Sequence, residues 1–234
     1  MLIEFKQYRE WVVRILILLT AIAGYAINKY FDWNAKLTGL EEILLYGGLS
    51  AIAVGAELWL GHLPSQTKWV RDKLLTNKNI EGVWVEITKK KGARKKIYSI
   101  GYCFIRIEHD MFVIDGHAFK FDTHGQDNWK SISTILNHDG DLDILYKLSS
   151  SKTGTGDING YCKYSFTIST ENIAPDYYSG SWVYPLDHET YFCEGRRIKD
   201  LTLATAIQSQ HQRDFQKCRE LCKEYFKDSY PITS

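Results

Sequence analysis

Apolar residues are spread very unevenly along this chain. From Met1 to Leu63 they form two nearly unbroken runs, whereas from Ile80 onward they recur in short stretches separated by turn residues. The first run, Trp11 to Phe31, matches the roughly 20 residues that a helix needs to cross a bilayer core. Arg14 sits in its first turn, where it can snorkel to the interface, and Tyr25, Tyr30, Phe31 and Trp33 cluster near the other end as interfacial anchors. The second run, Ile43 to Leu63, follows the short connection "DWNAKLTGLEE". Two spans joined this closely predict a transmembrane hairpin over residues 1–63 with both ends on one side. Lys6 and Arg9 precede the first span, and Lys68, Arg71, Lys73 and Lys78 follow the second. The loop sets Lys29 and Lys36 against Asp32, Glu41 and Glu42. The positive-inside bias then places the N-terminus and everything after the hairpin in the cytoplasm. One rival is a cleaved signal peptide, with "TAIAG" as its processing site; a soluble helical hairpin is another.

Within the second run, Gly47, Ala51 and Gly55 recur every four residues and share one helix face. Such a small-residue stripe lets helix backbones approach closely in lipid. It serves either packing inside the hairpin, against Thr20 and Gly24, or packing between protomers. Glu57 lies on a different face. A carboxylate at membrane depth faces a protein partner or snorkels to the rim, and the sequence leaves both open.

Residues 64–79, "PSQTKWVRDKLLTNKN", read as a basic amphipathic linker helix suited to an anionic leaflet. Residues 80–199 then show successive strand patterns: "IEGVWVEIT", "KIYSIGYCFIRIEH", "MFVIDG", "HAFKFDT", "NWKSISTILN", "DLDILYKLS", "GYCKYSFTIS", "YYSGSWVYPL" and "ETYFCEGRRIK". Eight or nine short strands without intervening helices predict an all-β antiparallel barrel, calycin- or lipocalin-like, wide enough for one small ligand. Residues 200–234 switch to helical period. Leu203, Ile207, His211, Phe215, Cys218, Cys222 and Tyr225 mark one face of a C-terminal helix that packs on the barrel.

The net charge of +1 excludes an argument for nucleic acid from bulk charge. Five cysteines, odd in number and without a CxxC, argue against a disulfide framework or zinc site and fit a reducing compartment. "HDGDLD" fails as a calcium loop, because Ile144 and Ser150 stand where Gly and Glu are required. "SSSKTGTGD" lacks the order of a phosphate-binding loop. His109, His117 and His124, with Asp110, Asp115 and Asp122, show no ligand spacing. The sequence therefore predicts no catalytic residue, no metal and no cofactor.

Binding is better supported. "KKKGARKK" (Lys89 to Lys96) reads as a loop that funnels phosphates to a barrel mouth, as one that contacts anionic lipid, or as a solvated hairpin tip, and the sequence leaves these open. Tyr102 and Arg106 share a strand face taken as interior, together with Tyr98, Ile100 and Phe104. Matching faces carry Trp129, Ser131 and Ser133, then Leu142, Ile144 and Tyr146, then either Tyr161 and Lys163 or Tyr164 and Phe166. Rings, hydroxyls and a guanidinium suit a planar base bearing a phosphate. A filled aromatic core would read the same way. "EGVW" (Glu81 to Trp84) predicts an indole plug at the closed end, set against Arg196 or Arg197, of which Arg197 is the candidate to face the cavity.

The N-terminal hairpin, the basic linker and the domain opening with "IEGVW", with "DNWKSIS", "GYCKYSF" and "EGRRI" further along, resemble one family. It comprises the SMODS-associating effectors with two transmembrane helices and a β-strand-rich domain, from bacterial CBASS antiphage systems. The resemblance implies an inner-membrane, multi-pass protein whose cytoplasmic barrel senses a cyclic dinucleotide made by a functionally linked nucleotidyltransferase. It further implies homo-oligomerisation on activation and disruption of the inner membrane lipids, ending in abortive infection. The competing readings are a membrane-tethered, lipocalin-like carrier of a small apolar ligand and a docking module.

Overall fold

Alternation along residues 80–197 is resolved, in a computed structural model, into eight antiparallel strands that close on themselves. The structure describes residues 3–31, 39–75, 79–92, 97–108, 111–121, 125–137, 139–150, 158–167, 174–183, 188–209 and 214–227. The chain divides into two compact units, 1–75 and 76–234.

In the first unit, α1 (Ile3–Phe31) and α2 (Gly39–Gln66) are long helices, and α3 (Lys68–Leu75) is short. Among the described residues one helix, over Phe5–Ile27, is long and apolar enough to cross a membrane. Its large side chains Ile17, Leu18, Leu19 and Ile22 are exposed, as are Ile52, Val54, Leu58 and Trp59 of α2. A helix in water usually has such a face covered, by lipid, by a partner or by its own chain, and in this single copy these side chains are uncovered. α2 runs past Leu63, carries Pro64 inside it, and ends at Gln66. The helices α1 and α2 touch closely where Arg9 Nε donates to the Gly61 carbonyl at 3.3 Å. Elsewhere a groove of about 640 Å³ separates them, lined by Thr20, Ala21 and Gly24 opposite Ser50, Ala53 and Glu57. Gly47, Ala51 and Gly55 are not among its walls; they lie exposed. No atom beyond its own helix lies within 4 Å of where a Gly47 or Gly55 side chain would stand.

The second unit is the barrel and its C-terminal helices. Its strands are β1 (Gly82–Lys90), β2 (Ile97–Glu108), β3 (Met111–Lys120), β4 (Gln126–Leu136), β5 (Asp141–Ser150), β6 (Ile158–Phe166), β7 (Tyr177–Val183) and β8 (Thr190–Arg197). Each pairs with its sequence neighbour, and β1 pairs with β8. A closed meander leaves no exposed sheet edge. The two segments read as "MFVIDG" and "HAFKFDT" are one strand. Gly116 interrupts the apolar pattern, yet it lies within β3, paired with Trp129.

Register separates the two faces of the sheet. Trp84, Glu86 and Thr88 of β1 pair with Cys103, Gly101 and Ser99 of β2, and these point inward. The alternate residues Val83, Val85 and Ile87, with Ile100, Tyr102 and Phe104, form an outer core with Ile207, Cys218, Leu221, Cys222 and Phe226. The C-terminal stretch is thus two helices, α4 (Leu201–Ser209) and α5 (Phe215–Tyr225), rather than one. Asp200 caps α4 by accepting from the Thr202 and Leu203 amides, and Asp214 caps α5 by accepting from the Gln216 amide. The second cap explains the break: its side chain closes a new helix start. His211 lies outside the described residues.

The outer core also corrects the expected face of β2. Tyr102 is buried beneath the C-terminal helices rather than in the barrel lumen, because α4 and α5 supply a second apolar surface that the sheet's outer face covers. Arg106 shares that outer face and pairs with Glu108 and Asp115.

Candidate functional site

Besides Gly101, four inward glycines among the described residues shape the lumen. Gly116, Gly160, Gly180 and Gly195 pair across the sheet with Trp129, Tyr146, Tyr164 and Tyr178, respectively. At each, an added Cβ would overlap the ring of that partner. The rings use the space left by missing side chains, so a narrow barrel can hold four large aromatics along its lumen.

One end of this lumen is sealed. Trp84 is fully buried, packs at 5.4 Å from Phe166 and 5.3 Å from Tyr178, and donates its indole N–H to the Ile80 carbonyl at 3.1 Å. The Arg197 guanidinium lies 5.8 Å from the indole and donates to the carbonyls of Asn79 and Glu81. The expected tryptophan plug is therefore present, and Arg197 belongs to it rather than to a cavity. Gly82, at φ +151°, adopts a backbone conformation open to glycine, and Arg197 Nε would lie 3.0 Å from a side-chain carbon there.

Midway along the lumen sits a buried carboxyl. Glu86 accepts from the Tyr178 hydroxyl at 2.6 Å and the Tyr164 hydroxyl at 3.1 Å, and Thr88 donates to its other oxygen at 3.3 Å. Burial raises its pKa, since desolvation outweighs the three hydroxyls that favour the charged form. The thiols of Cys103, Cys162 and Cys193 are also fully enclosed, and burial, with Glu86 adding to it, holds them well above their ordinary value and so protonated.

Toward the other end the lumen opens into a slot of about 40 Å³, with Glu86 and Thr88 at its floor. Trp129, Tyr146, Tyr98 and Trp182 form aromatic walls, and Ser99, Lys120 and Asp127 supply polar groups. Trp129 meets Tyr146 edge to face at 5.8 Å, whereas Trp182 stacks on Tyr191 at 4.6 Å and Tyr98 leans on the same Tyr191 ring at 4.6 Å. Lys120 and Asp127 form an ion pair at 2.6 Å with side chains only 11% and 7% exposed. These side chains set ring faces, hydroxyls and one paired cation around a space of a few water molecules.

Of the residues singled out from the sequence, Trp129, Tyr146 and Tyr164 are brought together here. Ser131 faces Tyr146 across the sheet, but its hydroxyl accepts from the Ile114 amide at 2.8 Å. It thereby satisfies a backbone donor where the β3–β4 ladder has ended at Asp115 and Lys130. Tyr161 points outward, 53% exposed, and donates to Asp143 at 2.5 Å. Tyr102, Arg106 and Arg197 lie elsewhere, as described.

Sequence reasoning missed Thr88, Ser99, Lys120, Asp127, Trp182 and the floor carboxyl Glu86. Tyr98 shares the outer face with Tyr102 by simple alternation, but a register shift between Thr88 and Lys89 pairs Lys89 with Ile97 and turns Tyr98 into the slot. The signal that was available is Trp182: once β6 and β7 pair, it stands opposite the inward Cys162. In the basic stretch 89–96, Lys89 pairs with Glu194 and Lys90 with Glu189, while 93–96 lie outside the described residues. So do His109, Asp110, Asp122, His124, His138 and residues 151–157. Among the described residues no group of His, Cys, Asp and Glu is placed to hold a metal ion.

No protein-family model matches the chain, and comparison with curated proteins finds no match.

Proposed function

We propose that this protein is a membrane-anchored receptor and effector of antiphage defence, whose barrel takes a cyclic dinucleotide at its open end. The observation that carries the reading is the composition of the slot. Trp129, Tyr146, Tyr98 and Trp182 offer ring faces, Thr88, Ser99 and Glu86 offer edge partners, and Lys120 offers positive charge. A carrier of apolar cargo has no use for a buried carboxyl and an ion pair along its cavity wall.

At about 40 Å³ the slot of the resting barrel has room for a few water molecules. The ligand is accordingly held largely at the mouth, and a base enters only as the aromatic walls of the slot move apart. The calycin likeness lies in the closed meander with a plugged end and an open one.

On this reading α1 and α2 are the two spans of an inner-membrane hairpin, and the barrel is cytoplasmic. The exposed apolar surfaces of both helices support it. The stripe of Gly47, Ala51 and Gly55 points away from α1, which favours its use between protomers over use inside the hairpin. Glu57 lines the groove between α1 and α2 and a second, smaller recess with Arg9 and His62. Ligand drives assembly only if it binds the assembled form more tightly than the resting one. The linked nucleotidyltransferase supplies the ligand, and assembled hairpins breach the membrane.

The direct test is calorimetry of the full chain in detergent micelles against cyclic dinucleotides. One tight ligand, weakened by Trp129→Ala and Trp182→Ala, supports the receptor. Binding of fatty acids in its place would support the carrier.

A further inference from the structure

The slot contains one cation among its described lining residues, Lys120, and that cation is already paired. Its Nζ lies 2.6 Å from Asp127 Oδ2, with both side chains nearly buried, and 5.8 Å from the centre of the Tyr98 ring. The other carboxyl of the slot, Glu86, is occupied by the hydroxyls of Tyr178, Tyr164 and Thr88. The positive and negative groups at the mouth therefore answer each other.

We propose that Lys120 is the anion-binding residue of the slot and that Asp127 is its resident competitor, so that a phosphate-bearing ligand binds by taking the Asp127 carboxylate's place at the Lys120 ammonium. The proposal rests on the receptor reading and sharpens it, since it names the group that meets the phosphate and the group that holds the site closed beforehand.

The physical reason is the environment. A charge pair withdrawn from water keeps its partner because a lone charge there is strongly disfavoured. An anion arriving from solvent gains only the difference between its own contact with Lys120 and the one Asp127 already makes, less the cost of leaving the Asp127 carboxylate unpaired. The resting pair thus sets a threshold. A weak or singly contacting anion does not cross it, whereas a ligand that also stacks on Trp129 and Trp182 does. Register places the pair: Lys120 is the last residue of β3, and Asp127, second in β4, pairs with Ala118, two residues before Lys120 on the same face of the sheet.

The competitor can be removed without changing its size. In Asp127→Asn the ammonium lacks its counter-charge, and an anion then supplies what the protein no longer does. Binding is expected to tighten by about tenfold or more. In the charge-neutral double variant Lys120→Gln/Asp127→Asn the amide pair preserves volume and a hydrogen bond, and the gain is expected to vanish.

The experiment is calorimetry of the full chain in detergent micelles, wild type and both variants, against a panel of cyclic dinucleotides and against inorganic pyrophosphate as a probe without a base. Tightening in Asp127→Asn with loss in the double variant is the expected result. If the wild type binds a dinucleotide and the double variant binds it equally well, the role of Lys120 is overturned and the receptor stands. If no dinucleotide binds, yet pyrophosphate binds Asp127→Asn and not the double variant, the anion site stands and the receptor reading falls. If neither probe binds any form, both fall. Should Asp127→Asn not fold, the double variant against wild type decides alone.

Discussion

The Trp129 indole occupies the space where a Gly116 side chain would stand, and the two residues face each other across the β3–β4 pairing. Gly116 cannot accept even a methyl group unless the ring moves. The same ring is a wall of the slot. Replacement by alanine is expected to destabilise the barrel by about 1–3 kcal/mol, the usual effect of overpacking a filled core. It should also displace Trp129 toward the lumen and reduce ligand binding. Thermal unfolding with tryptophan fluorescence checks both; an unchanged Tm with an unchanged emission spectrum would contradict the packing described.

Glu86 gives a pH dependence with a definite sign. Its pKa in the fold is raised from an ordinary value of 4.5 by burial. The folded protein therefore keeps the proton in a range where the unfolded chain has released it. The favourable contribution is complete below about pH 4.5 and is lost progressively as pH rises toward the folded-state pKa. Glu86→Gln keeps the hydroxyl partners and cannot ionise. It is expected to be more stable than wild type at pH 7.5 and to remove that part of the slope, as read by urea unfolding across pH 4–8. A variant less stable at neutral pH, with the slope intact, would count against this account.

The plug makes a separate prediction. Arg197 donates to carbonyls of the segment preceding β1 and covers the buried Trp84. Arg197→Ala strands those acceptors and is expected to cost about 1.5–3 kcal/mol, the range for hydrogen bonds to a charged group. Ligand affinity, measured on the folded variant, should hardly change, because the slot lies toward the opposite end. A large affinity loss with little change in stability would place Arg197 in the site after all.

How far the sequence reveals this molecule depends on the residue. Strand alternation identified the barrel, and the three- and four-residue spacing of Ile207, Cys218 and Cys222 identified the helical face that covers it. What alternation alone does not give is the sign of a face. The face of Tyr102 and Arg106 is as apolar and aromatic as a lumen, because the C-terminal helices make the outside of β1 and β2 a second core. Gly116 imitated a turn for a similar reason, since an inward glycine beneath a cross-strand ring and a glycine in a loop look alike in one dimension. Tyr98 escaped because a single register shift reverses its direction. The pair Lys120–Asp127 joins a residue inside the strand read as "HAFKFDT" to one just before the strand read as "NWKSISTILN", and only the β3–β4 register makes them one feature.

The helical unit yields a test of assembly. Gly47 and Gly55 present open backbone to their surroundings. Gly47→Leu and Gly55→Leu are expected to leave membrane insertion and ligand binding intact while abolishing ligand-dependent leakage from vesicles carrying the protein. Undiminished leakage from both variants would remove the stripe from the mechanism.

The central claim is that the barrel is a receptor for a cyclic dinucleotide, and calorimetric titration of the full chain with a panel of such ligands tests it most directly. The account predicts one tight ligand whose affinity falls when Trp129 or Trp182 is replaced by alanine. Failure of every member to bind a folded, membrane-inserted protein would contradict it.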